Sequence, residues 1–480
     1  MSDRSCPFDT LHEECGVFGI WTPEGSPLSP AHEAYAALFA LQHRGQEACG
    51  IAVNHHGVIR CHRDVGLVGE VFSQERLDAM EGEMAIGHVR YSTTGDPRRE
   101  NAQPLAISHV KGNLAVAHNG NLVNADSLRR KLELGGAIFR ASSDTEVLVY
   151  TLVQERLKAA SIEEAVVNTM GVIQGAYSLC IMSSRKLIAA RDPRGMRPLC
   201  IGKLGDAVVF ASESCALDAL GAEFVRDVEP GEVVVVDRTG AIRSLRSPIQ
   251  AKSAICVFEY IYFARPDSVI DGASVELARQ EAGKYLSIEH PVGADMVMGV
   301  PDSGIPAAIG YARCSGIPYG VGLIKNRYIG RTFIQPGQDN RERSVRLKLN
   351  ALREAVAGKR IIMVDDSIVR GTTCARLIKL VRDAGAKEVH LRISAPPFRY
   401  PCFFGTDIPD QEQLLAHNRT VEEMRQIIGA DSLGFLSVDA ARKIARDCRL
   451  GFCDACFTGE YPMAVPQQTD KNIFESEIET

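Results

Sequence analysis

No run of apolar residues in this chain approaches the length that crosses a membrane, and its first fourteen residues, MSDRSCPFDTLHEE, lack the apolar core of a secretory signal. Those absences imply a cytoplasmic protein. Positive charge is not in excess either: 54 Lys and Arg stand against 60 Asp and Glu, a formal net charge of −6. Without a broad basic field, neither nucleic acid nor membrane is expected as a partner. Cysteine, by contrast, is plentiful at fourteen. In a reducing compartment these thiols are not expected to form disulfides, so they divide into buried apolar residues, a candidate nucleophile and candidate metal ligands. The 480 residues are too many for one typical core, and two domains are expected.

The stretch from Lys359 to Thr373, KRIIMVDDSIVRGTT, is the most informative. Ile361 to Val364 form an apolar run without alternation, as in a strand covered on both faces of a parallel sheet. Asp365 and Asp366 follow it, where open α/β sheets bind ligands, and paired carboxylates there suit sugar hydroxyls or Mg²⁺. Ser367, Gly371, Thr372 and Thr373 then offer hydroxyls and close backbone approach, leading into a helix expected from Thr373 to about Ala384. The Gly-x-x-x-x-Gly-Lys spacing of a P-loop is missing. A Rossmann-like turn with a solvated acid pair is the plainer alternative, but it leaves acids, hydroxyls and glycine together unexplained. The stretch resembles the phosphoribosylpyrophosphate (PRPP) fingerprint of type I phosphoribosyltransferases. A second strand, Met296 to Val300, runs into Pro301-Asp302-Ser303-Gly304. By the same resemblance this loop takes pyrophosphate, with Ser303 a candidate contact to Mg²⁺.

In the first half, Cys15 heads a short apolar strand, Gly16 to Ile20. A buried strand cysteine is the ordinary reading. A nucleophile needs a base, and an α-amino group would supply one if the Glu14–Cys15 bond were cut. Four motifs follow: Leu41 to Glu47 (LQHRGQE), Gly87 to Thr93 (GHVRYST), Ala117 to Leu122 (AHNGNL, read as a strand-to-turn) and Ser142 to Glu146 (SSDTE, read as a helix start). Each alone has a structural explanation as a turn, cap or surface pair. Together they resemble the class II, N-terminal-nucleophile glutamine amidotransferases. That resemblance implies that Cys15 attacks the glutamine amide, with Asn119 and the Gly120 amide stabilising the oxyanion. It also implies that Arg90 grips the substrate carboxylate and Asp144 its ammonium. Arg191 to Pro198 and Phe210 to Ser214 read as strand and turn elements without a chemical role.

Periodicity fades from Ser244 to Ser253, a plausible link between domains. Beyond it, Cys256 to Ser268 (CVFEYIYFARPDS) resembles the segment that joins these two modules in one enzyme family. The family implies a leader at 1–14, an αββα glutaminase domain of α+β class at 15–245, an α/β transferase domain with a mainly parallel sheet at 254–460, and a tail at 461–480. It implies conversion of PRPP, glutamine and water to 5-phosphoribosylamine, glutamate and pyrophosphate, the first committed step of purine nucleotide synthesis. Mg²⁺, inhibition by purine nucleotides and a homotetramer are implied as well. Lys325 to Asn350, with Arg327, Arg331, Arg341, Arg343, Arg346 and Lys348, resembles the basic loop that closes over PRPP. Cys256, Cys402, Cys453 and Cys456 resemble the ligands of a [4Fe–4S] cluster in one branch of the family, whereas Cys448 matches no such context. The rivals are a hexosamine synthase or asparagine synthetase, against which the PRPP fingerprint argues, and a PRPP-sensing regulatory protein with a retained fold.

Overall fold

The computed structural model describes residues 14–91, 98–326, 349–406 and 411–466. The strand directly after Cys15, Gly16–Trp21, explains the layering of the first half. Its six residues are all buried, yet Val17 and Trp21 enter one core while Phe18 and Ile20 enter another, as a period of two requires. A strand apolar on both faces must lie inside a stack. It pairs antiparallel with Met84–Arg90 and Ala207–Ala211 in the middle of a seven-stranded sheet.

A six-stranded antiparallel sheet built around Gly112–Leu122 and Gly175–Ser183 faces the first. Ala115, Ala117, Cys180 and Met182 point into the core between the sheets. Leu114, Val116, Leu179 and Ile181 point the other way, under helices Asp144–Lys158 and Ile162–Met170. Helices Pro30–Ala40 and Ser214–Leu220 cover the outer face of the seven-stranded sheet. The result is the expected αββα sandwich.

The second half holds four strands in the order Met296–Gly299, Arg360–Asp365, Glu388–Ile393 and Ser432–Phe435, all parallel. Ile361 to Asp365 are all buried, which is why that stretch shows no alternation. Helices Val275–Glu289, Gly304–Ser315, Thr372–Asp383 and Val421–Ile428 share one core with this sheet. Among the described residues no helix is long and apolar enough to cross a membrane.

The link differs from expectation. Ile242–Arg246 is an edge strand paired with Glu232–Asp237, so regular structure runs past Ser244. Its residues are mostly exposed, and such an edge carries no apolar alternation to read. Further on, Ile255–Cys256 pairs in parallel with Phe452–Cys453, bringing both ends of the second half together.

Candidate functional site

The Cys15 side chain is 5% exposed, and its thiol donates to the Tyr91 carbonyl at 3.3 Å. Burial pushes this thiol up to about 11; Arg90 pulls it down, while Glu14 and Asp144 push it further up. Those three charges are therefore within electrostatic reach of the sulfur. Arg90 ends the strand Met84–Arg90, and Asp144 opens the helix Asp144–Lys158 behind Ser143 at the cap. One Asp144 oxygen accepts the Leu122 amide at 2.9 Å, and the other lies 3.8 Å from the His118 Nδ1.

Asn119 and Gly120 are not at a turn. They lie inside Gly112–Leu122, opposite Ser178 and Tyr177 of the neighbouring strand, because pairing along the whole segment overrides the turn preference of Asn-Gly. Gly120 has φ +143°, and a Cβ there would meet the Ala176 oxygen at 2.0 Å, so the position needs glycine. Asn119 is 1% exposed, and among the described residues neither atom of its side-chain amide has a hydrogen-bond partner. An unpaired buried amide costs about 1–3 kcal/mol, a cost that a bound oxygen would relieve. Gln103 braces this region, a role the sequence reading missed. Its side-chain oxygen accepts the His118 amide at 2.8 Å, and its nitrogen donates to Thr145 at 3.0 Å, tying strand to helix start.

The second site forms at the end of Arg360–Asp365. Asp366 accepts the Ser303 hydroxyl at 2.5 Å and also that of Ser367, so the two strand–loop–helix units meet at one carboxylate. The Asp366 amide donates to Asp365 Oδ1 at 3.0 Å. Burial, and then the Asp366 charge, push the Asp365 carboxyl well above the usual range. Two crowded carboxylates of this kind gain from a hard cation, and Mg²⁺ takes one or two protein carboxylates together with substrate phosphates. Gly371 caps the helix at φ +83°, where a Cβ would meet Leu415 Cδ2 at 2.6 Å. The helix begins at Thr372, one residue earlier than expected, and Thr372 and Thr373 bring its first amides to the loop. Asp302 pairs with Lys325 Nζ at 2.8 Å. The strand Leu323–Lys325 pairs with Leu349–Ala351, so the ends of the basic segment meet, whereas Arg327, Arg331, Arg341, Arg343, Arg346 and Lys348 lie outside the described residues.

Cys256, Cys402, Cys453 and Cys456 line one cavity, walled by Met196, Arg197, Phe258, Phe404 and Tyr461. All four thiols are free. Burial pushes Cys453 up to about 12, and Cys256 and Cys456 are pushed far up by burial and by the facing thiols. Among the described residues no three His, Cys, Asp or Glu sit closely enough to hold a metal ion. A cubane holds its thiolates wider apart than one ion does, and the four thiols around a common cavity fit that donor set. Cys448 lines no part of it; its sulfur faces the Leu450 carbonyl at 3.8 Å.

Family models match the chain twice: a glutamine amidotransferase domain at residues 88–219 and a phosphoribosyl transferase domain at 277–396. An amidophosphoribosyltransferase of Bacillus subtilis is 51% identical over 464 residues, covering 96% of each chain. One of Archaeoglobus fulgidus is 51% identical over 456 residues, 94% of this chain and 98% of the relative. This chain belongs to the amidophosphoribosyltransferase family. Among solved structures, a glutamine PRPP amidotransferase from B. subtilis complexed with ADP and GMP matches 95% of this chain and 99% of its own at 50% identity and a TM-score of 0.88. A structure described as the allosteric regulatory enzyme of purine biosynthesis matches 97% of this chain and 100% of its own, at 49% identity and a TM-score of 0.89.

In this member of the amidophosphoribosyltransferase family, the segments given no chemical role carry buried ion pairs between the two halves. Arg191 binds Asp271 with two hydrogen bonds, at 2.9 and 2.8 Å, and spends its other donors on the Arg197, Val228 and Gly195 carbonyls. Arg44 donates to Glu213 at 2.6 Å, to both oxygens of Glu259 at 3.0 and 2.9 Å, and to the Cys15 carbonyl at 2.9 Å. Burial pushes the Glu213 carboxyl up, but His43, Arg44 and Ser268 outweigh it and hold it well below the carboxylate range. Arg279 fixes the other face of the turn that carries Glu259, donating to the Tyr260, Tyr262 and Ala264 carbonyls. Motif spacing marks none of these ion pairs, because Arg191–Asp271, Arg44–Glu213 and Arg44–Glu259 span 80, 169 and 215 residues.

Proposed function

We propose that this chain is a glutamine-dependent amidophosphoribosyltransferase with two separated sites. Cys15, freed at its amine by cleavage of the Glu14–Cys15 bond, attacks the glutamine side-chain amide, and its own α-amine serves as base. Asn119 and the Gly120 amide receive the charge that develops on the oxygen, a role supported by the unpaired Asn119 amide. Arg90 and Asp144 hold the carboxylate and ammonium of glutamine, a reading supported by the place of Arg90 next to Tyr91, whose carbonyl accepts the Cys15 thiol.

Ammonia then attacks C1 of PRPP at the second site, displacing pyrophosphate. Asp365 and Asp366 orient the ribose, Ser303 lies on the pyrophosphate side, and Ser367, Gly371, Thr372 and Thr373 cradle the 5-phosphate at the helix start. Mg²⁺, when bound by Ser303, Asp365 and Asp366, would neutralise the leaving pyrophosphate. Cys256, Cys402, Cys453 and Cys456 would hold a [4Fe–4S] cluster that cross-links the two ends of the transferase half. The ADP and GMP bound to the B. subtilis relative support purine nucleotides as regulators of this chain, and the family implies a homotetramer in the cytoplasm.

The observation that carries this reading is the presence of both sites in one chain, a buried thiol beside Arg90 and Asp144 and an acid pair capped by Ser303. The test is release of pyrophosphate from PRPP. The wild type should release it with glutamine or ammonia, and Cys15→Ala with ammonia alone. A folded Cys15→Ala protein inert with both nitrogen sources would refute the two-site reading. Wild-type protein that binds PRPP without turnover would favour the regulatory alternative.

A further inference from the structure

Glu14 precedes the candidate nucleophile, and its side chain does not trail into solvent. It is 1% exposed and reaches across the boundary between the halves. Oε1 accepts the Thr406 hydroxyl at 2.8 Å, and Oε2 pairs with the Arg197 guanidinium and lies 3.8 Å from Arg44 Nη2. Arg197 and Arg44 belong to the antiparallel half; Thr406 follows Cys402 in the parallel half. One peptide further on, the Cys15 carbonyl accepts from Arg44 Nε at 2.9 Å. The residues on both sides of the Glu14–Cys15 bond are thus held, Glu14 by its side chain and Cys15 by its carbonyl.

Burying a carboxylate costs several kcal/mol unless it is paired, so this placement would be costly without the two guanidiniums and the hydroxyl. Burial pushes the Glu14 carboxyl up to about 7 while Arg197 and Arg44 pull it down, so its charge depends on that clamp. A residue destined only for removal has no need of such a seat.

We propose that the Glu14 side chain is a positioning group for removal of the leader: clamped by Arg197, Arg44 and Thr406, it sets the Glu14 carbonyl beside the Cys15 thiol once the two halves have docked. This rests on the reading that the mature chain starts at Cys15. In the step it serves, Cys15 Sγ attacks the Glu14 carbonyl carbon, the carbon–nitrogen bond breaks, and the thiol proton passes to the nitrogen, which becomes the α-amine. One water then hydrolyses the thioester, its hydroxyl going to the acyl carbon and its proton to the sulfur. The balance is peptide hydrolysis and needs no oxidant or reductant. Thr406 makes the clamp a report on folding, since an undocked second half leaves Glu14 without its hydroxyl partner.

The experiment follows the intact mass of freshly made full-length chain over time for wild type, Glu14→Gln, Glu14→Asp and Thr406→Val. Loss of residues 1–14 should slow about 100-fold in Glu14→Gln, because misplacing a reacting group by an ångström costs about that factor. Glu14→Asp, which keeps the charge on a shorter arm, and Thr406→Val, which keeps both guanidiniums, should fall between. Ammonia-dependent synthesis needs no cleavage, so uncut Glu14→Gln should keep it. If the wild type itself keeps its leader while making phosphoribosylamine from glutamine, the cleavage reading fails. If the wild type is cut and Glu14→Gln is cut as fast, the positioning role fails while the cleavage reading stands. If Glu14→Gln loses ammonia-dependent synthesis along with cleavage, Glu14 holds the fold, and the positioning role is again overturned.

Discussion

The Cys15 thiol of an uncut chain should react slowly with an alkylating reagent from solution. Burial pushes it up to about 11, against about 8.5 for an ordinary cysteine. That difference makes the thiolate roughly 300-fold scarcer at any pH below both values. Cleavage replaces the Cys15 amide by an α-amine with a reference pKa of about 7.7 to 8.0, a base the uncut chain lacks. Iodoacetamide labelling followed by trypsin reads both states in one sample. Uncut chains give the peptide from Ser5 to Arg44 and cut chains the peptide from Cys15 to Arg44, and fragment ions separate Cys6 from Cys15. In the uncut peptide Cys15 should label about 100- to 1,000-fold more slowly than free cysteine near neutral pH, rising about tenfold per pH unit to about pH 10. The cut peptide should label faster and without that slope. Equal rates in the two peptides would refute the reasoning. A slow rate that levels off at about pH 9 would reduce it to steric shielding of an ordinary thiol.

Asp366→Asn should abolish synthesis with either nitrogen source, because it weakens the carboxylate shared by Ser303 and Ser367; ammonia-dependent turnover at the wild-type rate would show that the acid pair was misread. Serine at Cys256, Cys402, Cys453 or Cys456 should give protein poor in iron and acid-labile sulfide, whereas Cys448→Ser should match the wild type, and a fully active wild type without iron would leave these thiols as core residues. Arg191→Met strands Asp271 in a buried site and should cost about 3–5 kcal/mol in denaturant unfolding, part of it recovered by adding Asp271→Asn; a cost under about 1 kcal/mol would mean the pair is dispensable. Glu213 is held below its unfolded value of about 4.3, so its stabilisation is complete above that pH and lost as pH falls further; Glu213→Gln should flatten the acid side of the thermal-midpoint profile, and an unchanged slope would place the acid sensitivity elsewhere.

Much of the fold was legible where one physical constraint acts over a short stretch. Ile361 to Val364 had to be apolar throughout because the sheet is covered on both faces, and Asp365 and Asp366 stand out at its end. Cys15 to Ile20 carried the same kind of signal, though only the structure shows that Val17 and Phe18 serve different cores. Asn119-Gly120 misled because its turn preference is local, whereas the pairing with Ser178 and Tyr177 that keeps it extended comes from more than fifty residues away. Gln103 carried no readable signal at all, since a glutamine that braces two elements looks like any other. The arginines were hardest: Arg44 finds Glu213 and Glu259 at separations of 169 and 215 residues, and sequence records a charge without its partner.

The way the halves meet follows from those partners. An interface of buried ion pairs adds less net stability than an apolar one of the same size, because desolvation offsets most of the attraction. It fails steeply, however, when one partner is missing. Arg191 without Asp271 would leave a guanidinium short of its carboxylate, and Glu259 without Arg44 and Arg197 would leave a carboxylate short of its cations, so neither half has its charges satisfied unless the other is seated. The site inherits that dependence, because the same Arg44 holds the Cys15 carbonyl. The proposed loss of the leader would change this balance at one point: Arg197, on the wall of the cavity that the four cysteines share, would give up Glu14 and retain Glu259 at 3.4 Å. A guanidinium so placed favours the thiolate forms of the cysteines it faces, and it already pulls Cys256 down against burial. If the leader is cut as proposed, loss of Glu14 would strip a competing anion from Arg197, the guanidinium that shares a wall with the four thiols proposed to hold a cluster, so the cut and that ligation would draw on one charge network.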